Sequence, residues 1–257
     1  MAGRRMVDVS GGPIEVDVTP GDPEFSTLVF LHEGLGSIEL WRGFPEAVRS
    51  ALGDHAMVVY SRHGHGHSSA AVMPRPPTYM HHEADVVLPE LRAALDIERP
   101  VLVGHSDGAS IALLHAGAAH PVEAIVTLAA HVFVEPESVQ GISEVRSTFE
   151  STDMGERMGR YHDDPEATFR GWNDVWLSEG FRDWNIESRL SGVAAPILAV
   201  QGTGDEYGTV AQLDAIERGI GAQVERLVLD DVGHSPHLEA RDRVIAAIVE
   251  FMKRVGQ

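Results

Sequence analysis

Residues 101–110 read VLVGHSDGAS, and the way this stretch changes character decides the fold. Val101 to Val103 are apolar without interruption, which suits a strand buried on both faces. Ser106 then stands between Gly104 and Gly108, and the segment continues as the Ala-rich DGASIALLHAGAA, residues 107–119, which suits a helix. A buried strand that turns through Gly-x-Ser-x-Gly straight into a helix would expose the Ser106 hydroxyl at the turn. Taken alone the pattern is weak, because serine caps many helices. The reading of Ser106 as a nucleophile depends on whether the rest of the chain supplies a base, an acid and a site for an oxyanion.

Outward from this stretch, similar short apolar runs recur at residues 27–32 (TLVFLH), 56–61 (AMVVYS), 100–106 (PVLVGHS), 123–130 (EAIVTLAA), 196–202 (PILAVQG) and 224–230 (VERLVLD). Between them lie segments of helical period, with Ala84, Val87, Leu88 and Leu91 on one face before the third run. Val244, Ile248 and Met252 form a similar face after the last, and Pro89 is expected to kink its helix. Alternating strand and helix predicts an α/β fold, a mostly parallel central sheet with helices on both faces and right-handed crossovers. MVDV and PIEVDV near the start alternate apolar and polar residues, which predicts an antiparallel hairpin at the sheet edge. The alternation lapses over residues 131–188, where aromatic and charged residues mix with helical fragments. This predicts a core domain from residues 1–130 and 189–257, with 131–188 inserted as a helical cap.

Composition narrows the function classes. The 257 residues are 43% hydrophobic and 23% charged, ordinary for one folded domain. Lys and Arg number 20 against 39 Asp and Glu, a net charge of −19 that repels phosphate backbones and anionic lipid surfaces. A small-molecule substrate is therefore expected, rather than nucleic acid or a membrane; self-association into a homo-oligomer is left open. There is no cysteine, so neither disulfides nor thiolate metal sites arise. Arg4 and Arg5 are followed by no apolar signal region and no apolar run is long enough to span a bilayer, so a cytoplasmic location is expected.

A serine near its free pKa is a poor nucleophile; it needs a histidine to take its proton and a carboxylate to orient that histidine. Asp205 follows the run PILAVQG, and His234 follows VERLVLD in the stretch DVGHSPHLE. Both are expected just past the carboxyl ends of strands, where open α/β sheets bind ligands. Glu206 and Asp231 compete for the acid and His237 for the base. His63, His65, His67, His81 and His82 form a dense group, but its spacing lacks a downstream Asp-His pair and two of its members lie in a glycine loop. No metal and no cofactor are expected. Trp172, Trp176 and Trp184, with Phe133, Phe149, Phe169 and Phe181, concentrate aromatic area in 131–188, enough for an apolar pocket roof to which Met154 and Met158 would lend an adaptable lining.

These motifs resemble the α/β-hydrolase superfamily over essentially the whole chain. The order Ser106, Asp205, His234 is that family's nucleophile, acid, base order; LHEGLGS (31–37) is similar to its His-Gly-x oxyanion segment and SRHGHGHSS (61–69) to its loop after an early strand. The resemblance implies a catalytic triad of Ser106, Asp205 and His234 and an oxyanion hole from the backbone N–H groups of Gly34 and Asp107. It implies a serine hydrolase of carboxylic esters or lactones acting through an acyl-enzyme. Hydrolysis of C–C bonds in ring-cleavage diketones, thioester hydrolysis, and ligand reception on a hydrolase scaffold are the alternatives. The sequence departs from the family at Glu33 and Asp107, two carboxylates beside the expected oxyanion. Each must point away or be paired, and Arg62 or His63 is the expected partner of Glu33. Glu33, Phe133, Trp172, Trp176 and Trp184 are the expected pocket residues.

Overall fold

The computed structural model describes residues 2–256. Eight strands form one sheet: β1 (Gly3–Val9), β2 (Gly12–Thr19), β3 (Leu28–Leu31), β4 (Met57–Tyr60), β5 (Val101–His105), β6 (Ala124–Leu128), β7 (Ile197–Gly202) and β8 (Val224–Leu229). Their spatial order is β1-β2-β4-β3-β5-β6-β7-β8. The β1–β2 hairpin and the β2–β4 pair are antiparallel and every other pairing is parallel, so the hairpin occupies one edge, as its alternation predicts.

The unbroken apolar runs exist because alternate residues fill opposite cores. Leu28, Phe30, Val101, Val103, Val126, Leu198 and Val200 face a core that includes Trp41, Phe44, Ile248 and Phe251. Val29, Leu31, Leu102, Ile125, Ile197 and Ala199 face the other, with Ile111 and Leu114 of the helix that follows Ser106. β8 departs from this reading. It is the far edge strand, alternately exposed, with Glu225 and Arg226 on it and Val228 at 38% exposure. An edge strand with charged side chains resists pairing with a second chain.

Around Pro89 the expected disturbance takes the form of a π-helical turn, Glu83–Val87, immediately before the Leu88–Ala94 helix. Proline lacks the N–H that an α-helical bond needs, and a widened turn accommodates that loss while Ala84, Val87, Leu88 and Leu91 stay buried. Between β6 and β7 the described residues form helices at Pro136–Ser151, Met154–Met158, Pro165–Trp176 and Glu187–Leu190, with one isolated bridge between Phe133 and Asn185. Among the described residues no helix is long and apolar enough to cross a membrane.

Candidate active site

The turn from β5 into the Asp107–Gly117 helix holds Ser106 at φ 52° and ψ −119°, a conformation that a non-glycine residue rarely adopts. Its neighbours make the strain sustainable. A Cβ on Gly104 would lie 2.4 Å from the carbonyl oxygen of Gly108, and a Cβ on Gly108 would lie 2.0 Å from that of Leu31. Both glycines are required by backbone packed against backbone, which is why the serine can stand at so sharp a bend.

His234 Nε2 lies 2.9 Å from Ser106 Oγ, and His234 Nδ1 lies 2.9 Å from both carboxylate oxygens of Asp205. Asp205 is held in turn: its Oδ1 accepts from the Tyr207 N–H at 2.8 Å and its Oδ2 from Gln201 Nε2 at 2.6 Å. Burial works against a charged His234, but the adjacent Asp205 carboxylate outweighs it and leaves the His234 pKa raised. For Asp205, burial is likewise outweighed, by His234 and by the backbone donors, and its pKa is lowered. The competitors stand elsewhere. Asp231 is exposed, Glu206 sits exposed at the mouth of the cavity, and His237 is buried against Trp41 and Phe44.

Both unusual carboxylates are paired, but Glu33 not with the side chains expected for it. Arg62 faces Asp107, not the Glu33 side chain: its Nη1 is 3.4 Å from Asp107 Oδ2, with both side chains fully buried. Asp107 Oδ2 also accepts from the Tyr79 hydroxyl at 2.6 Å, and Tyr79 accepts from Trp176 Nε1 at 3.0 Å. Glu33 meets His105, the residue before the nucleophile, with 3.3 Å between Oε2 and Nδ1. His105 Nε2 is 2.8 Å from the His234 carbonyl oxygen, which only accepts, so that nitrogen carries a proton. Burial alone would raise the Glu33 pKa, but the hydrogen bond from His105 prevails and holds it well below the usual carboxylate range. The Glu33 carboxylate is thus engaged by His105 rather than standing unpaired beside Ser106. His63 instead bonds the Gly12 carbonyl.

A cavity of about 260 Å³ opens over Ser106 and His234. Leu35, Ile142, Val145, Met154, Trp172 and Trp176 give it apolar walls, and Glu33, His131 and Tyr207 contribute polar groups. Trp172 lies directly on Gly34, where an added Cβ would come within 2.1 Å of its indole nitrogen. Trp184 and Phe133 are not part of the wall. Trp184 stacks on Phe181 at 5.2 Å in the core beneath, and Phe133 is engaged in the bridge to Asn185. Met158 is likewise buried in the core, while Met154 does line the cavity. The sequence reading missed His105, His131 and Tyr79; only the position of His105 inside Gly-x-Ser-x-Gly offered a signal for any of them. Burial, with His234 alongside, pushes His131 down to about 4.

The dense histidines do not converge. His65 turns toward the 33–35 loop, His67 pairs with Asp163 at 2.7 Å, and among the described residues no three His, Asp or Glu side chains are grouped to hold a metal ion.

Residues 28–247 match the alpha/beta hydrolase family, and the chain belongs to it. No curated protein matches it in sequence. Among solved structures it is similar to the proline iminopeptidase of Mycobacterium smegmatis, at 18% identity over 98% of each chain with a TM-score of 0.77. It is similar to the enol-lactonase of Burkholderia xenovorans LB400, at 19% identity over 97% of this chain and 100% of that one, TM-score 0.72. A thermophilic esterase from Thermogutta terrifontis gives 21% identity over the full length of both chains, TM-score 0.73. At such identities the likeness speaks to the fold alone.

Proposed function

We propose that the protein is a serine hydrolase that cleaves carboxylic esters or lactones with a small apolar or aromatic acyl part. Ser106 Oγ attacks the carbonyl carbon while His234 Nε2 takes its proton, and Asp205 holds Nδ1–H and stabilises the imidazolium that forms. The N–H groups of Gly34 and Asp107 receive the oxyanion. Asp107 is the first residue of its helix, so its N–H has no intrahelical acceptor. His234 then returns the proton to the leaving group, and water activated by His234 clears the acyl-enzyme.

The observation that carries this reading is the unbroken Ser106–His234–Asp205 relay at 2.9 Å on each side. Substrate size is argued from the cavity, whose roughly 260 Å³ is below the ~300–1,000 Å³ of drug-sized ligand sites. Glu33 and Glu206 on its wall, with no Lys or Arg among its lining residues, disfavour an anionic acyl group. A panel of p-nitrophenyl esters of graded chain length, with lactones, a thioester and a dienoate diketone, tests the assignment. Repeated turnover should be highest on short-chain or aryl esters or on lactones and fall as the chain outgrows the cavity. Turnover confined to the diketone or the thioester would overturn the ester reading, and a single slow turnover with product retained would favour a receptor.

A further inference from the structure

The 33–35 loop has no regular structure, yet each of its three consecutive carbonyl oxygens is held by buried side chains. Glu33 O accepts from His32 Nδ1 at 2.7 Å and from Arg62 Nη2 at 2.7 Å. Gly34 O lies 2.9 Å from His65 Nε2. His65 Nδ1 faces the His63 carbonyl, which already accepts from Arg75 at 2.8 Å, so the tautomer that leaves no carbonyl unpaired puts the proton on Nε2. Leu35 O lies 3.1 Å from His162 Nε2. His162 comes from the 131–188 segment, 127 residues away along the chain, and is 3% exposed. Its Nδ1 accepts from the Gly66 N–H at 3.0 Å, which forces the proton onto Nε2 and makes that nitrogen the donor to Leu35.

In a trans peptide the C=O of one residue and the N–H of the next point in opposite directions within one plane. Holding Leu35 O therefore orients the Gly36 N–H, which donates to Glu33 O at 3.1 Å. Holding Glu33 O orients the Gly34 N–H. A mechanical path thus runs from His162 through the Leu35–Gly36 peptide to the Glu33–Gly34 peptide, and so to the donor assigned to the oxyanion.

We propose that His162 is a positioning residue for the oxyanion site, so that seating of the 131–188 segment sets the competence of the 33–35 loop. The inference rests on the serine-hydrolase reading above. Other ties join the same segment to the same glycine loop without touching 33–35: Thr168 Oγ1 donates to Gly64 O at 2.6 Å, and the Asp163 N–H to Gly66 O at 3.0 Å. These permit a controlled comparison.

Two variants separate the bonds of His162. In His162→Asn the amide oxygen can still accept from Gly66 but cannot reach Leu35; in His162→Gln the longer amide restores a donor to Leu35. Thr168→Val removes a tie between segment and loop and leaves His162 in place. The readouts are the second-order rate of Ser106 labelling by a fluorophosphonate, affinity for a trifluoromethyl ketone that forms a tetrahedral adduct, and kcat and KM on the best ester. His162→Asn should slow labelling and lower kcat about 10- to 100-fold, less than the ~10²–10³ for deleting an oxyanion donor outright. Ketone affinity should fall by a similar factor while KM changes less than about threefold, because the tetrahedral adduct loads the oxyanion site and the ground state does not. His162→Gln should recover most of the loss and Thr168→Val should cost less than about threefold. Labelling of His162→Asn at the wild-type rate, equal losses in Asn and Gln, or an equal loss in Thr168→Val would each overturn the proposal. Failure of the wild-type protein to label at all would overturn instead the assignment of Ser106 as nucleophile.

Discussion

Ser106, Asp205 and His234 follow directly or within a few residues on the ends of β5, β7 and β8; Gly34 stands as near the end of β3, but the shape of its loop is held by side chains from residues 32, 62, 65 and 162. The first group is placed by the sheet. Strand register fixes where each strand ends, and a side chain just past that end inherits the position. The oxyanion loop is placed by hydrogen bonds from buried side chains, those of residues 62, 65 and 162 far away in sequence, and each of its three histidines must present one tautomer. The nucleophile side should therefore fail abruptly when one functional group is removed, and the oxyanion side should fail in graded steps as supports are withdrawn.

The largest effect expected is that of Ser106→Ala. By analogy with removal of the nucleophile from subtilisin, which costs about 10⁶-fold in kcat, ester turnover and fluorophosphonate labelling should vanish. The melting temperature should hold or rise, since alanine brings no new clash to the turn. Residual stoichiometric labelling in this variant would place the nucleophile elsewhere.

Asp205→Asn should be nearly as severe, about 10⁴-fold by the trypsin precedent, because Nδ1 loses its acceptor and the tautomer is no longer fixed. It should also move the pH profile. The base form of His234 is neutral, so kcat/KM rises with pH through the His234 ionisation and reaches its plateau above it. Asp205 is what raises that ionisation against the effect of burial. Its neutralisation should carry the acid limb to lower pH even as the plateau falls. A limb unmoved in pH would mean that a group other than His234 controls it.

On the oxyanion side, Tyr79→Phe leaves Asp107 Oδ2 with only the 3.4 Å contact to Arg62 and leaves Trp176 Nε1 without its acceptor. An abandoned buried polar group costs about 1–3 kcal/mol, and the stability loss should fall in that range. Because Asp107 also supplies an oxyanion N–H in the proposed mechanism, kcat should fall with it, on the order of tenfold and far short of Asp205→Asn. Denaturant unfolding alongside kcat separates the two consequences. A stability loss with kcat unchanged would show that the buried pair carries no catalytic duty.

The same contrast explains what the sequence could disclose. The strands were legible because alternate residues serve two apolar cores, and β8 was misread as buried because its residues 227–229 are apolar although Glu225 and Arg226 mark an edge. The approach of Ser106, Asp205 and His234 was legible because each follows a strand in the expected order. The partners of Glu33 and Asp107 were not. Arg62 lay close enough in the motif to be considered, but which carboxylate it meets depends on how two loops cross, and no local pattern encodes that. Trp184 and Phe133 were taken for the pocket wall from aromatic content, and only packing divides wall from core.

Glu33→Gln should have the smallest effect, and its direction tests the oxyanion side most finely. An unpaired carboxylate on the cavity wall would repel the developing oxyanion, and its neutralisation would speed the reaction. Glu33 is instead paired with His105, which also holds the His234 carbonyl. A glutamine amide can still hydrogen-bond His105 Nδ1 while the His105 Nε2–H reaches His234 O, so the geometry survives. The carboxylate is engaged by His105 and does not stand bare beside the oxyanion, so removing its charge changes the barrier little. The expected change in kcat is within about threefold, far below the ~10²–10³ of a lost donor. The pH profile should respond more clearly. Glu33 is one of the charges that raise the His234 pKa, after Asp205 and Glu206, so its neutralisation lowers that pKa and carries the acid limb to lower pH, by less than Asp205→Asn does. A tenfold gain in kcat would mean that the pair with His105 does not form in solution and the bare charge faces the oxyanion. A hundredfold loss would mean that the carboxylate itself, rather than His32, Arg62, His65 and His162, holds the Gly34 N–H in place.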